Sequence, residues 1–298
     1  MTIAAGFNFA DGVMVCADTE MTEGGLAKYH EQKIFPIEFG GAGKGPILAF
    51  AITGLAGQAK RAVEFCQVAI RQHHLRDSTN MSNEVIRDII EGALLSFYKK
   101  FVFCHPHYKQ NESWIELVIG LWSHVTGRSS VLFTDGPTVS FAGQFAFAGI
   151  GAYFARYACG RLFKPRMSLR DMTILAAHVL AQTKANVPGC GKQSQFVVIA
   201  NEGKLSPTSQ FDVELGEVET QAYLNLTNDL MFALANPSED LEKIIEKFRQ
   251  KATELRERIN SIEYYQSLIG VLSGAVPLSS SGSQPFDQTQ IIFNENLD

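Results

Sequence analysis

No apolar run in the sequence approaches the roughly 20 residues that a membrane-spanning helix needs. The first residues lack the basic start and apolar stretch of a secretory signal, so neither a span nor export by that route is expected. Neither sign of charge dominates. The 26 Lys and Arg against 31 Asp and Glu leave a net charge of −5 at pH 7. That balance argues against nucleic acid as the main partner, because phosphate binding needs a basic excess, and there is no polybasic arm or tail. Cysteines are few: Cys16, Cys66, Cys104, Cys159 and Cys190 are odd in number, scattered and mostly in apolar surroundings. They are expected to be buried thiols in a reducing compartment, not a disulfide framework. A cytoplasmic protein follows as the default. No internal repeat of 20–50 residues is present, which excludes a solenoid.

What is present is ordinary for a soluble globular chain. Hydrophobic residues make up 46% of 298 and charged residues 19%, enough for one large domain or a domain with an appendage.

Strand patterns open the chain. Ile3 to Phe9 and Val13 to Ala17 flank Asp11-Gly12, a hairpin signal because that pair tolerates positive φ. The first strand thus begins almost at residue 1. Two more strands are expected at Lys33 to Ile37 and Pro46 to Ile52, around the turn Gly40 to Gly45. Helical spacing follows over about Ala56–His73 (Ala59, Val63, Cys66, Ala69, Ile70) and Ser82–Val102 (Val85, Ile89, Ala93, Phe97). Strands return at Ile115–Trp122, Ser130–Thr134 and Val139–Ala148. Helices are expected at Ala152–Leu162 and Leu169–Ala185, the latter capped by Ser168 with Asp171, and a strand at Gln195–Ala200. Helix pairs on either side of two sheets would bury both faces of each sheet. Beyond about 215 the character changes. Asn236 and Pro237 make a helix start, and Leu241, Ile244, Ile245, Phe248, Ala252, Leu255, Ile259 and Ile262 form an amphipathic stripe. The expected organisation is a main domain over residues 1–215, a helical extension over 216–270 and a flexible tail over 271–298.

Thr2 has chemistry available to it that other threonines lack. A small second residue permits removal of Met1, which leaves Thr2 with a free α-amine whose reference pKa is about 7.7–8.0. Such an amine can accept the proton of its own hydroxyl, an established nucleophile design. β-Branching restricts χ1 and so fixes the hydroxyl's direction. The segments Thr2-Ile3-Ala4-Ala5-Gly6-Phe7, Asp11-Gly12-Val13, Ala17-Asp18, Lys33-Ile34 and Thr53-Gly54-Leu55-Ala56 resemble the opening of a proteasome β-type subunit. The bacterial two-component heat-shock threonine peptidase has the same pattern. The resemblance continues through Gly149-Ile150-Gly151 to the strand Phe196-Val197-Val198-Ile199, and so covers about the first 200–215 residues.

The resemblance implies an α+β fold of the N-terminal-nucleophile type, a four-layer αββα sandwich. It implies Thr2 as nucleophile, Asp18 as the acid that orients and balances the lysine, and Lys33 as the cation that lowers the pKa of amine and hydroxyl. Gly54 would supply an oxyanion-binding N–H. The Thr22 backbone would pair with extended peptide, and Met21 and Ile52 would line an apolar specificity pocket, with Glu31 nearby opposing it. No metal or organic cofactor is required. The expected partners are peptide or unfolded protein as substrate, further copies in a homo-oligomeric ring, and a separate ATPase. Taken one at a time, Asp18 fits a turn cap, Lys33 a solvated strand-edge lysine and Gly54 a tight turn.

The chain departs from the family near the chemistry. Gly149-Ile150-Gly151 stands where Gly-Ser-Gly is usual. Asn186-Val187-Pro188-Gly189-Cys190-Gly191 replaces Asp-x-x-Ser-Gly-Gly, and Asp18-Thr19-Glu20 replaces Asp-Ser-Arg. Loss of supporting residues can leave a site present but poorly organised, so a catalytically silent structural subunit stands as the alternative, and a small-molecule amidase on the same fold as a third reading. Other motifs carry less. Gly40 to Gly45 fails phosphate-loop spacing, with Glu38 at the first glycine position and Gly45 at the Ser/Thr position. His105-Pro106-His107 lacks ligands at metal spacing. His178 fits a core histidine, and Cys190 has no histidine near it in sequence.

Overall fold

The computed structural model describes residues 2–23, 27–40, 43–105, 115–207, 210–235 and 240–261. The expected tail at 271–298 and the helix-start residues Asn236 and Pro237 lie outside the described residues.

The chain runs β1 (Ala4–Phe9), β2 (Gly12–Asp18), β3 (Glu20–Glu23), β4 (Ala27–His30), β5 (Ile34–Glu38) and β6 (Ile47–Gly54). Helices α1 (Ala56–Arg76) and α2 (Asn83–Phe97) follow, the second continued by a π-helical turn at Tyr98–Val102. Next come β7 (Ile115–Ser123), β8 (Arg128–Asp135), β9 (Thr138–Phe141), β10 (Phe145–Ala148), α3 (Ala152–Gly160) and α4 (Leu169–Asn186). The described part closes with β11 (Ser194–Ala200), β12 (Lys204–Pro207), α5 (Gln210–Ala235) and α6 (Leu241–Ser261). Two antiparallel sheets form, ordered β10-β1-β2-β11-β12 and β5-β6-β7-β8-β9, with β3-β4 a separate hairpin. α1 and α2 cover the second sheet, α3 and α4 the first, and the sheets face each other. The molecule is the αββα sandwich expected from the sequence.

Side-chain size decides how the layers stack. Along β6, Ile47, Ala49 and Ala51 face the other sheet, while Leu48, Phe50 and Ile52 face the helices. Both faces are buried, so the strand reads as a continuous apolar run instead of an alternation. The sheets approach most closely where side chains are missing. A Cβ on Gly6 would lie 2.7 Å from Val118 Cγ1 and Val131 Cγ1, and one on Gly120 would lie 2.7 Å from Val15 Cγ2.

Several expectations need correction. The β1–β2 turn is Ala10-Asp11, and Gly12 does not adopt positive φ. Gly12 is instead required because a Cβ there would sit 2.4 Å from Ile199 O of the neighbouring β11. The single strand expected over Val139–Ala148 is two strands in different sheets, β9 and β10. Asn8 holds the crossing between them: its N–H donates to Gln144 O (2.8 Å) and its side chain to Ala142 O (3.1 Å). α2 buries Ile86, Ile90, Ala93, Leu94 and Phe97; Ala93 and Phe97 belong to the expected stripe, whereas Val85 and Ile89 are only partly buried. The expected and the buried positions are both apolar, so periodicity alone could not choose between them. α5 went unrecognised because its buried positions are partly polar. Glu219 pairs with Arg258 of α6 (3.0 Å), and Thr220 donates back to Gly216 O (2.8 Å). Position 215, the expected domain edge, lies within this helix, which packs on α4 and β11. α6 starts from Asp240, whose carboxylate accepts from Glu242 N (3.0 Å). Ile244 and Leu255 of its stripe are buried, whereas Leu241 and Ile245 are exposed.

Candidate active site

The hairpin register brings the first two site residues together. Ala4 pairs with Ala17, and one step further Asp18 N donates to Ile3 O (3.2 Å). Thr2 therefore arrives beside the side chain at the end of β2. Lys33 comes from the residue before β5, in the other sheet. Its backbone N–H donates to Gln195 Oε1 of β11 (2.9 Å), and its carbonyl accepts from Ile52 N of β6 (3.0 Å). The lysine is thus pinned where the two sheets meet.

Thr2, Asp18 and Lys33 are all buried, Thr2 to 2% exposure and the other two to 0%. Every donor of the Lys33 ammonium is used: it donates to Thr2 Oγ1, to Asp18 Oδ1 (2.7 Å) and to the Glu20 carbonyl (2.6 Å). Thr2 Oγ1 in turn donates to Asp18 Oδ1, which also accepts from Ile3 N (3.1 Å), while Asp18 Oδ2 accepts from Gly191 N (2.8 Å). Burial lowers the Lys33 pKa from its ordinary value, and the Asp18 charge works against that shift. The hydroxyl oxygen therefore faces a buried cation, an arrangement suited to stabilising negative charge that develops on it.

Thr2 is also fixed through its backbone. Its carbonyl accepts from Gly151 N (3.3 Å), and Gly149, at φ +86°, comes so close that a Cβ would lie 2.4 Å from Thr2 O. Gly149 N donates to Glu116 Oε2 (2.7 Å). The remaining site residues are placed as follows. Gly54 ends β6 at φ +88° and is exposed. Met21 (8% exposed) and the Thr22 backbone lie in β3, the Thr22 side chain being outside the described residues. Ile52 is buried beneath α1 and α2. The Glu31 carboxylate is paired with Lys60 of α1, which neutralises it.

Gly191, Gln195, Glu116 and the Glu20 carbonyl were missed from sequence. Backbone N–H and C=O groups carry no residue signature, so Gly191 and Glu20 showed in the sequence only as parts of the segments that depart from the family pattern. Glu116 did give one: it is a lone carboxylate inside an apolar strand. Two of the substituted positions, Asn186 and Ile150, are not engaged with the cluster. Asn186 Nδ2 donates to Gln182 O of its own helix (2.8 Å), and Ile150 is half exposed. The thiols of Cys16, Cys66, Cys159 and Cys190 are buried and all five cysteines are free. Burial and then the Asp18 charge push Cys190 up to about 12. His178 is half-buried, with its pKa lowered by that burial. Among the described residues no group of three or more His, Cys, Asp or Glu could hold a metal ion, and no helix is long and apolar enough to cross a membrane.

With the sandwich and its Thr–Asp–Lys cluster established, comparison with known families gives a consistent result. The profile described as proteasome subunit matches residues 2–199, and the chain belongs to that family. A comparison with curated proteins returned no match.

Proposed function

We propose that the protein is a threonine-type peptidase whose nucleophile is Thr2, freed by removal of Met1. The observation that carries this reading is the position of Thr2 Oγ1, which accepts from the buried Lys33 ammonium and donates to Asp18. In the proposed reaction Oγ1 attacks the substrate carbonyl carbon while the α-amine takes the hydroxyl proton. The oxyanion formed is held by Gly54 N–H. The scissile C–N bond then breaks, the α-amine passes its proton to the leaving amine, and an ester to Thr2 remains. Water attacks that ester, giving one proton to the α-amine; the acid departs and the proton returns to Oγ1. Substrate lies along the Thr22 backbone as an added strand. Met21 and Ile52, with Glu31 neutralised by Lys60, favour an apolar side chain next to the scissile bond. A homo-oligomeric ring in the cytoplasm, fed by a separate ATPase, completes the proposal by family likeness.

The test is intact-mass measurement after incubation with a threonine-directed epoxyketone. An adduct on protein that begins at Thr2, absent in Thr2→Ala, is expected. Trimmed wild-type protein that takes no adduct overturns the reading. That outcome would favour a structural subunit, an alternative motivated by Asn186, whose amide is engaged by its own helix.

A further inference from the structure

The extension reaches the catalytic cluster through a second buried charge network. Lys184 of α4 donates to Glu217 Oε2 of α5 (2.5 Å), to Ser194 Oγ of β11 (3.0 Å) and to the Lys192 carbonyl (3.1 Å). Ser194 Oγ donates to the other Glu217 oxygen (2.6 Å). The three ammonium donors, both carboxylate oxygens and the hydroxyl are all used, and the Lys184 and Glu217 side chains are only 14% and 13% exposed. A closed network of this kind holds its members in one arrangement.

What it holds is the loop between α4 and β11. Lys192 sits at φ +62°, a left-handed conformation that costs an L-residue about 1–2 kcal/mol. Its carbonyl is captured by Lys184 in that conformation. The neighbouring residue, Gly191, gives its N–H to Asp18 Oδ2 (2.8 Å), and its carbonyl accepts from Glu20 N (3.2 Å). Glu20 supplies the carbonyl that accepts from Lys33. Ser194 itself stands opposite Asp18 in the β11–β2 register. From Glu217 the chain of contacts passes through Lys184 and the strained Lys192 to both charged partners of Thr2.

We propose that Glu217 is a positioning residue, which holds the 187–193 loop against Asp18 and the Glu20 carbonyl, so that α5 is a working part of the site. This deepens the peptidase reading and rests on it. Without Glu217, Lys184 loses its counter-charge, the loop relaxes from the left-handed conformer, and the Asp18 carboxylate loses its Gly191 donor.

Two measurements on the full chain decide the matter. The first is the rate and affinity of epoxyketone inactivation, taken well below each variant's melting temperature. Glu217→Ala is expected to lower kinact roughly tenfold with KI unchanged, because small misplacements of reacting groups cost rate and not binding. Lys192→Gly in that background is expected to restore part of the loss, since glycine takes positive φ without penalty. The second is alkylation of Cys190, which lies in the loop at 5% exposure, scored by peptide mass against exposed Cys104. Glu217→Ala is expected to accelerate it roughly tenfold through local opening. A variant that melts lower yet keeps both wild-type kinact and Cys190 protection overturns the proposal. If the wild type takes no adduct, the nucleophile reading fails, and Cys190 protection alone then decides: faster alkylation supports the clamp, unchanged protection overturns it.

Discussion

Replacing Lys33 by methionine removes one charge from a fully buried ion pair. The Lys33 and Asp18 side chains are 1% and 0% exposed and lie 2.7 Å apart. Breaking a buried ion pair by deleting one partner costs about 3–5 kcal/mol, because the other charge is left uncompensated. Asp18 keeps three donors in the variant, from Thr2 Oγ1, Ile3 N and Gly191 N, which places Lys33→Met near the low end, about 3 kcal/mol. For a domain of this size that corresponds to a melting temperature lower by about 6–12 °C. Asp18→Asn combined with Lys33→Met removes both charges and is expected to recover most of that loss. Neither variant should form the Thr2 adduct, because the hydroxyl no longer faces a cation. The assay is calorimetric melting at pH 7 beside intact-mass labelling. A Lys33→Met protein that melts with the wild type and still takes the adduct refutes the electrostatic account of the site.

The lowered Lys33 pKa fixes the sign of two pH effects. The folded state binds that proton less tightly than the unfolded chain, so unfolding free energy rises with pH between the lowered value and the ordinary lysine value of about 10.4; denaturant midpoints across that window should show a slope that Lys33→Met abolishes. Inactivation by the epoxyketone should rise with pH as the Thr2 α-amine loses its proton near about 7.7–8.0, and fall once Lys33 loses its charge below about 10.4; a rate still rising at the upper end of that range contradicts the assignment. Gly149→Ala puts a Cβ at 2.4 Å from Thr2 O and an alanine at φ +86°, and is expected to cost about 2 kcal/mol and most of the labelling rate; unchanged melting and labelling would show that Gly149 does not hold Thr2. Gly120→Val overpacks the sheet interface and should cost about 1–3 kcal/mol by chemical denaturation, while the adduct still forms because the substitution is remote from Thr2.

Much of the architecture is written in local patterns. The Ala10-Asp11 turn and the runs around it fix a hairpin whose register alone sets Ile3 opposite Asp18, so the proximity of Thr2 to Asp18 is a property of the first 18 residues. Helices α1 and α4 follow from periodicity and, for α4, from the Ser168–Asp171 cap (3.2 Å from Asp171 N). The family resemblance added Lys33 to that pair, which spacing along the chain could not do. Tertiary structure decided the rest. Lys33 meets Thr2 only because two sheets stack face to face, through glycines that leave room for valine methyls. β9 and β10 belong to different sheets because Asn8, more than 100 residues away in sequence, holds the crossing between them. α5 escaped notice because several of the groups it buries are charged or hydroxylic, and their partners on α4, β11 and α6 exist only in the folded chain. Periodicity reports which face of an element avoids water. It carries no record of which buried carboxylate will find which ammonium, since that pairing depends on distances fixed only when all four layers are assembled.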